Sequence, residues 1–97
     1  MAEPQKKPQQ IQVQIDDKIA DGEYANWANI VFSPAEFVID FGRLMPGKAA
    51  ARVASRIITS PAHTKRLLEV LKNVVAQYEK QHGEIKAGEE LQKKVGF

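Results

Sequence analysis

The stretch between Ser60 and Gly83 constrains this chain most. Serine suits the N-cap of a helix because its side-chain oxygen accepts from a free amide of the first turn. Proline at the next position has no amide to lose, and glycine takes the left-handed conformation that ends a helix. About 22 residues lie between, enough for a rod about 33 Å long. At 100° per residue, Leu67, Leu68, Leu71, Val74, Val75 and Tyr78 fall in a stripe of about 120°. Lys65, Arg66, Glu69, Lys72, Asn73 and Lys80 lie outside it. Val70 and His63 widen the apolar arc towards 160°, more than one sheet face requires.

Such a stripe needs an apolar partner, and the preceding residues supply candidates with a period of two. Ile11, Val13 and Ile15 alternate with Gln12 and Gln14, which predicts a first strand at an edge of the sheet. Asp16, Asp17, Asp21 and Gly22 mark a turn. A second strand over 24–32 places Ala28, Ile30 and Phe32 on one face. Ser33-Pro34-Ala35 predicts a tight corner, and a third strand over 36–43 carries Phe37, Ile39 and Phe41 on the same face. Pro46-Gly47 makes the next turn, and residues 49–59 form a fourth strand, rich in Arg52 and Arg56. The fold class expected is α+β: a four-stranded antiparallel meander followed by one long C-terminal amphipathic helix, dimeric.

Register is testable on paper, because a slip of one residue inverts every side chain. Phe32 opposite Phe37 brings Ile30 to Ile39, Ala28 to Phe41 and Trp27 to Gly42. Asp40 opposite Arg52 brings Glu36 to Arg56, Ile39 to Val53 and Phe41 to Ala51. In that scheme the helix covers Phe37, Ile39, Phe41, Ile30 and Val53. The other face holds Trp27, Val31, Val38, Ala54 and Ile58 beside Asp40, Arg52 and Arg56, and is too apolar for a solvated surface. We expect a second copy to cover it.

Residues 1–9 combine prolines, lysines and glutamines without a large apolar side chain, a composition that predicts a disordered arm. The folded unit is expected over 10–85, and residues 86–97 form a charged tail with at most a short frayed helix. Neither a secretion signal nor an apolar run of about 20 residues is visible, so a cytoplasmic chain without membrane attachment is expected. Without cysteine there is no disulfide and no thiolate metal site.

Charge is segregated. Residues 10–40 hold six acidic side chains against one lysine, whereas residues 41–68 hold six basic ones and no acid. Arg43, Lys48, Arg52, Arg56, Lys65 and Arg66, with Ser60 and His63 at the helix start, are candidate contacts for an anion or nucleic acid. Trp27 offers a stacking surface for an unpaired base. The alternative is that Glu36 and Asp40 answer the strand arginines across the hairpin. His63 and His82 stand too far apart for helical metal ligands, and no serine or glycine-rich loop suggests a nucleophile or phosphate cradle. Neither a catalytic role nor a cofactor is expected. The functional expectation is a dimeric binding or adaptor module for a macromolecular partner, in the first place a protein. The alternatives are single-stranded DNA or RNA binding through the basic segment, and a holdase offering its apolar sheet face to unfolded chains.

Tyr24-Ala25-Asn26, Ser33-Pro34-Ala35-Glu36-Phe37, Asp40-Phe41, Pro46, Ser55-Arg56-Ile57-Ile58, Ser60 through Leu67 and Tyr78-Glu79 resemble a small prokaryotic family catalogued only as a domain of unknown function. The resemblance covers about residues 22–85. It implies a freestanding module and carries no activity or site onto these residues. Four strands followed by a helix also resembles, in topology alone, dimeric single-strand nucleic-acid binders of the whirly and purine-rich-element type.

Overall fold

Alternating apolar residues around two turns fold residues 27–59 into an antiparallel sheet, and the capped stretch after it into a helix. The structure, a computed structural model, describes residues 10–86. A short helix α1 (Asp17–Ala20) precedes three strands, β1 (Trp27–Phe32), β2 (Phe37–Leu44) and β3 (Ala51–Thr59), in the order β1-β2-β3. A long helix α2 (Pro61–His82) follows. The α+β class and the meander stand as expected.

The fourth strand does not form. Residues 10–16 are without regular structure, and Ile11 is 82% exposed. Alternation specifies which faces a strand would have, but it supplies no edge to pair with. Asp17 and its neighbours instead take a helical turn, with the Ala20 amide donating to the Asp16 carbonyl at 2.9 Å. The topological likeness to four-stranded nucleic-acid binders goes with that strand. The arm over 1–9 and the tail from residue 87 lie outside the described residues.

The β1–β2 register is the expected one: Phe32 faces Phe37, Ile30 faces Ile39, Ala28 faces Phe41 and Trp27 faces Gly42. The corner is tight because Ser33 closes it. Its amide donates to the Glu36 carbonyl at 2.9 Å, and its Oγ accepts from the amides of Ala35 and Glu36, both at 3.3 Å. At the other end Asn26 prolongs the ladder with its side chain. Its Oδ1 accepts from the Leu44 amide at 2.7 Å, and its Nδ2 points at the Leu44 carbonyl at 3.4 Å.

The β2–β3 register is corrected. Asp40 pairs with Arg56 rather than Arg52, Ile39 with Ile57 and Phe41 with Ser55, while Glu36 lies in the corner. The Pro46-Gly47 turn forms as expected, with the Lys48 amide donating to the Met45 carbonyl at 3.2 Å, but the displacement by four residues sets it within a longer loop over 45–50. Either register pairs all of β2, but the observed one sets Val38 against Ile58 and Ile39 against Ile57, larger apolar pairs than Ala54 and Val53 would make. Between Phe41 and Gly42 the register slips by one at a β-bulge, so that Gly42 faces Val53 and Arg43 faces Arg52. Below the bulge the faces of β3 exchange. Val53, assigned to the helix side, shares a face with Asp40. Ala54, assigned to the opposite face, lines a cleft with Phe41, Ser55 and Ile57.

The signals bounding α2 act as expected. Ser60 Oγ accepts from the His63 amide at 3.0 Å, Pro61 opens the helix, and Gly83 ends it at φ +94° with its amide donating to the Glu79 carbonyl at 2.8 Å. Its placement is the principal finding. The N-terminal half stands across the sheet, where Leu67, Leu68 and Leu71 face Ile30, Phe37 and Ile39 over a groove of about 480 Å³. Elsewhere α2 makes no extended contact with any strand. Ile39, at 5% exposure, is the one apolar side chain among the described residues that lies fully inside.

Candidate functional site

Two surfaces follow from this arrangement. The first is apolar. Leu67, Leu68, Val70, Leu71, Val74 and Tyr78 on α2 are exposed, and so are Ile30, Phe41 and Ile57 on the sheet face towards which α2 turns. The reverse face carries Val31, Val38 and Ile58 in one cross-strand row and Trp27 in another beside Gly42, with the polar row of Asn29, Asp40 and Arg56 between them. Trp27 and Val38 there are half-buried, while Val31 and Ile58 are exposed.

A fully buried isoleucine contributes about 1.5–3 kcal/mol, whereas ordering a single residue's backbone costs about 1–2 kcal/mol. One enclosed isoleucine cannot offset the ordering of sheet and helix together.

The second surface is basic, and the structure divides the candidate cations into four groups. Arg56, in the middle of β3, is committed: its Nε donates to Asp40 Oδ1 at 2.8 Å and its second terminal nitrogen to Oδ2 at 2.9 Å. Asp40 is 7% exposed, and the Arg56 guanidinium holds its carboxyl below the 3.8 usual for aspartate, first through these bonds and then through its charge. Burial acts in the opposite direction and is outweighed. Lys65 and Arg66 stand at the start of α2, where Ser60 is already spent on the cap and His63 lies on the solvent side. Arg52 lies seven residues before Thr59, about 23 Å along an extended strand. No single surface gathers the six cations, and Lys48 sits on the exposed loop with its amide donating to the Met45 carbonyl at 3.2 Å.

At the bulge end Arg43 and Arg52 face each other directly. The Arg43 guanidinium carbon stands 5.4 Å from the centre of the Tyr24 ring. These three, with Glu23, Met45, Val53 and Ala54, line an open cleft of about 320 Å³. Tyr24 is not among the candidates that the sequence offers. It precedes β1 by three residues, and only its contact with Arg43 brings it to the cleft. Trp27, the aromatic residue expected to stack, belongs to the reverse face instead.

Asp40 provides a pH test. Its folded pKa is depressed, so it contributes stability above the ordinary value that is lost as pH falls through the folded one. In an acid titration followed by circular dichroism, we expect the parent to lose stability progressively below about pH 4, and Asp40→Asn to be less stable at neutral pH with a flatter acid limb. Parallel curves for the two proteins would count against the Arg56 bond as the cause.

Among the described residues no group of three or more histidine, aspartate or glutamate side chains is placed to hold a metal ion, and no helix is long and apolar enough to cross a membrane. A family model described as "Protein of unknown function (DUF3467)" matches residues 1–87, somewhat beyond the span that carries the sequence resemblance. Neither a curated protein nor a solved structure matches the chain.

Proposed function

Since the chain belongs to the DUF3467 family, whose description carries no activity, we propose from its surfaces that it is a non-catalytic binding module that works as a homodimer. The observation that carries this reading is the pair of apolar surfaces left open together, the stripe of α2 and the sheet face beneath its first half. A second copy presents the same two surfaces, and a two-fold arrangement lets each stripe extend over the other's sheet, so both are covered by one symmetric contact. A surface of this extent otherwise draws chains into aggregates. The non-catalytic part of the reading is supported by Asp40. Its carboxyl is held ionised by Arg56, the reverse of the raised pKa that a general acid needs.

Light scattering or sedimentation on the full chain tests this directly. We expect twice the single-chain mass from about 1 to 100 µM. A single-chain mass with a fully folded circular dichroism spectrum at micromolar concentration would overturn the reading.

A further inference from the structure

The opposed arginines at the bulge are the least explained feature of the sheet. Directly facing positions on neighbouring strands are where opposite charges stabilise a sheet and like charges destabilise it. Four residues along the same strand, Arg56 has its aspartate. Arg52 has no ion pair or side-chain hydrogen bond among the described residues, and Arg43 has only the Tyr24 ring. Glu23, at the edge of the same cleft, pairs with neither.

The juxtaposition is produced by a specific backbone device. Carried on without the bulge, the register of Asp40 with Arg56 would set Arg43 against Val53 and Arg52 against Leu44. The one-residue slip between Phe41 and Gly42 makes the two arginines direct cross-strand partners instead, and both line the same cleft. Gly42 permits it: a side chain there would begin 2.5 Å from the Arg52 carbonyl oxygen. Bulges re-aim side chains beside binding sites, and this one sets two arginines opposite each other at one cleft.

We propose that Arg43, Arg52 and Tyr24 form a binding site for one nucleotide unit, the two guanidiniums taking its phosphate and Tyr24 its base. Paired guanidiniums match a phosphate's oxygens by forked hydrogen bonds, and an anion between them removes their repulsion. Tyr24 is 67% exposed and leaves ring surface for stacking, while Met45, Val53 and Ala54 give the cleft an apolar wall. A cleft of about 320 Å³ suits one such unit rather than a duplex. The phosphate and base have two sources, a free nucleotide or one residue of a single strand. The proposal rests on reading the chain as a binding module and gives its partner a chemical class.

The test uses the full chain at low salt, with fluorescein-labelled dT12 and rA12 followed by anisotropy and AMP and ATP by calorimetry. We expect Arg43→Ala/Arg52→Ala to weaken binding about tenfold or more. For a strand, the salt slope should become shallower by about 0.7, since the two guanidiniums together neutralise one phosphate and each phosphate neutralised on a single strand adds roughly 0.7 to it. Tyr24→Leu should weaken binding about tenfold, and Arg52→Lys, which keeps the charge and loses the fork, less than Arg52→Ala. Lys65→Ala/Arg66→Ala, at the far end of the sheet, should leave it unchanged. Binding of the oligomers alone assigns the site to a strand, and binding of the mononucleotides assigns it to free nucleotide; either supports the site. No binding of any probe, or equal weakening in the Lys65/Arg66 variant, overturns it. Light scattering on the same samples separates the two readings: a single-chain mass with the arginine-dependent binding intact removes the dimer and leaves the site standing.

Discussion

Leu71→Asp will break the assembly. Leu71 lies at the middle of the α2 stripe, lines the groove against Ile30, Phe37 and Ile39, and is 55% exposed within one chain. If water covers it, exchanging it for aspartate changes stability by no more than about 0.5 kcal/mol, the usual range for surface positions. If a second copy covers it, the variant must bury a carboxylate without a partner, which costs several kcal/mol. We therefore expect a single-chain mass in sedimentation, with loss of helical circular dichroism at micromolar concentration, because the separated chain keeps little enclosed apolar surface. Leu71→Met preserves volume and should behave as the parent. Unchanged mass and midpoint for Leu71→Asp would place this stripe in water and end the proposal of a symmetric contact.

Gly42→Ala is the second large effect. Gly42 is buried at the bulge, and an added Cβ would lie 2.5 Å from the Arg52 carbonyl oxygen, 3.0 Å from its carbon and 3.1 Å from the Val53 Cα. All three atoms are backbone of the neighbouring strand, so no side-chain rotation relieves the clash and β3 must move away from β2. Overpacking of this kind costs about 3 kcal/mol. For a domain of this size the thermal midpoint should fall by more than about 10 °C. Because the same movement separates Arg43 from Arg52, any nucleotide affinity should fall with it. A midpoint within about 2 °C of the parent would show that the bulge yields easily and is not held by this close approach.

The parts legible in the sequence are those decided by neighbours in the chain. Ser60, Pro61 and Gly83 each act within one helical turn, and they set the ends of α2 without help from the rest of the fold. The β1–β2 register follows from a corner that Ser33 closes across three residues. The β2–β3 register is not legible, because the loop over 45–50 does not dictate a pairing, and above the bulge the competing solutions differ by four residues, which leaves the faces there intact. What separates them is long-range: the apolar pairs Val38–Ile58 and Ile39–Ile57, the forked bond from Arg56 to Asp40, and the bulge at Gly42. The candidate site shares this dependence. Basic residues are visible by type, but which arginine is neutralised and which two are opposed depends on that register. Tyr24 joins them through a cation–ring contact that no spacing announces. Ile11, Val13 and Ile15 show the converse, an alternating pattern that joins neither outer strand of the sheet.

The Ser60 corner joins a rod of 22 residues to the sheet at one end only. Each residue turns such a rod by 100° and advances it by about 1.5 Å. Adding or removing one residue between Leu71 and Tyr78 would therefore swing every later leaf of the apolar seam sideways, whereas a step of seven would nearly restore its bearing. On the proposed symmetric contact, gaps in α2 of related chains should come in steps that nearly close whole turns, seven, eleven or eighteen residues, while the loop over 45–50 tolerates any number.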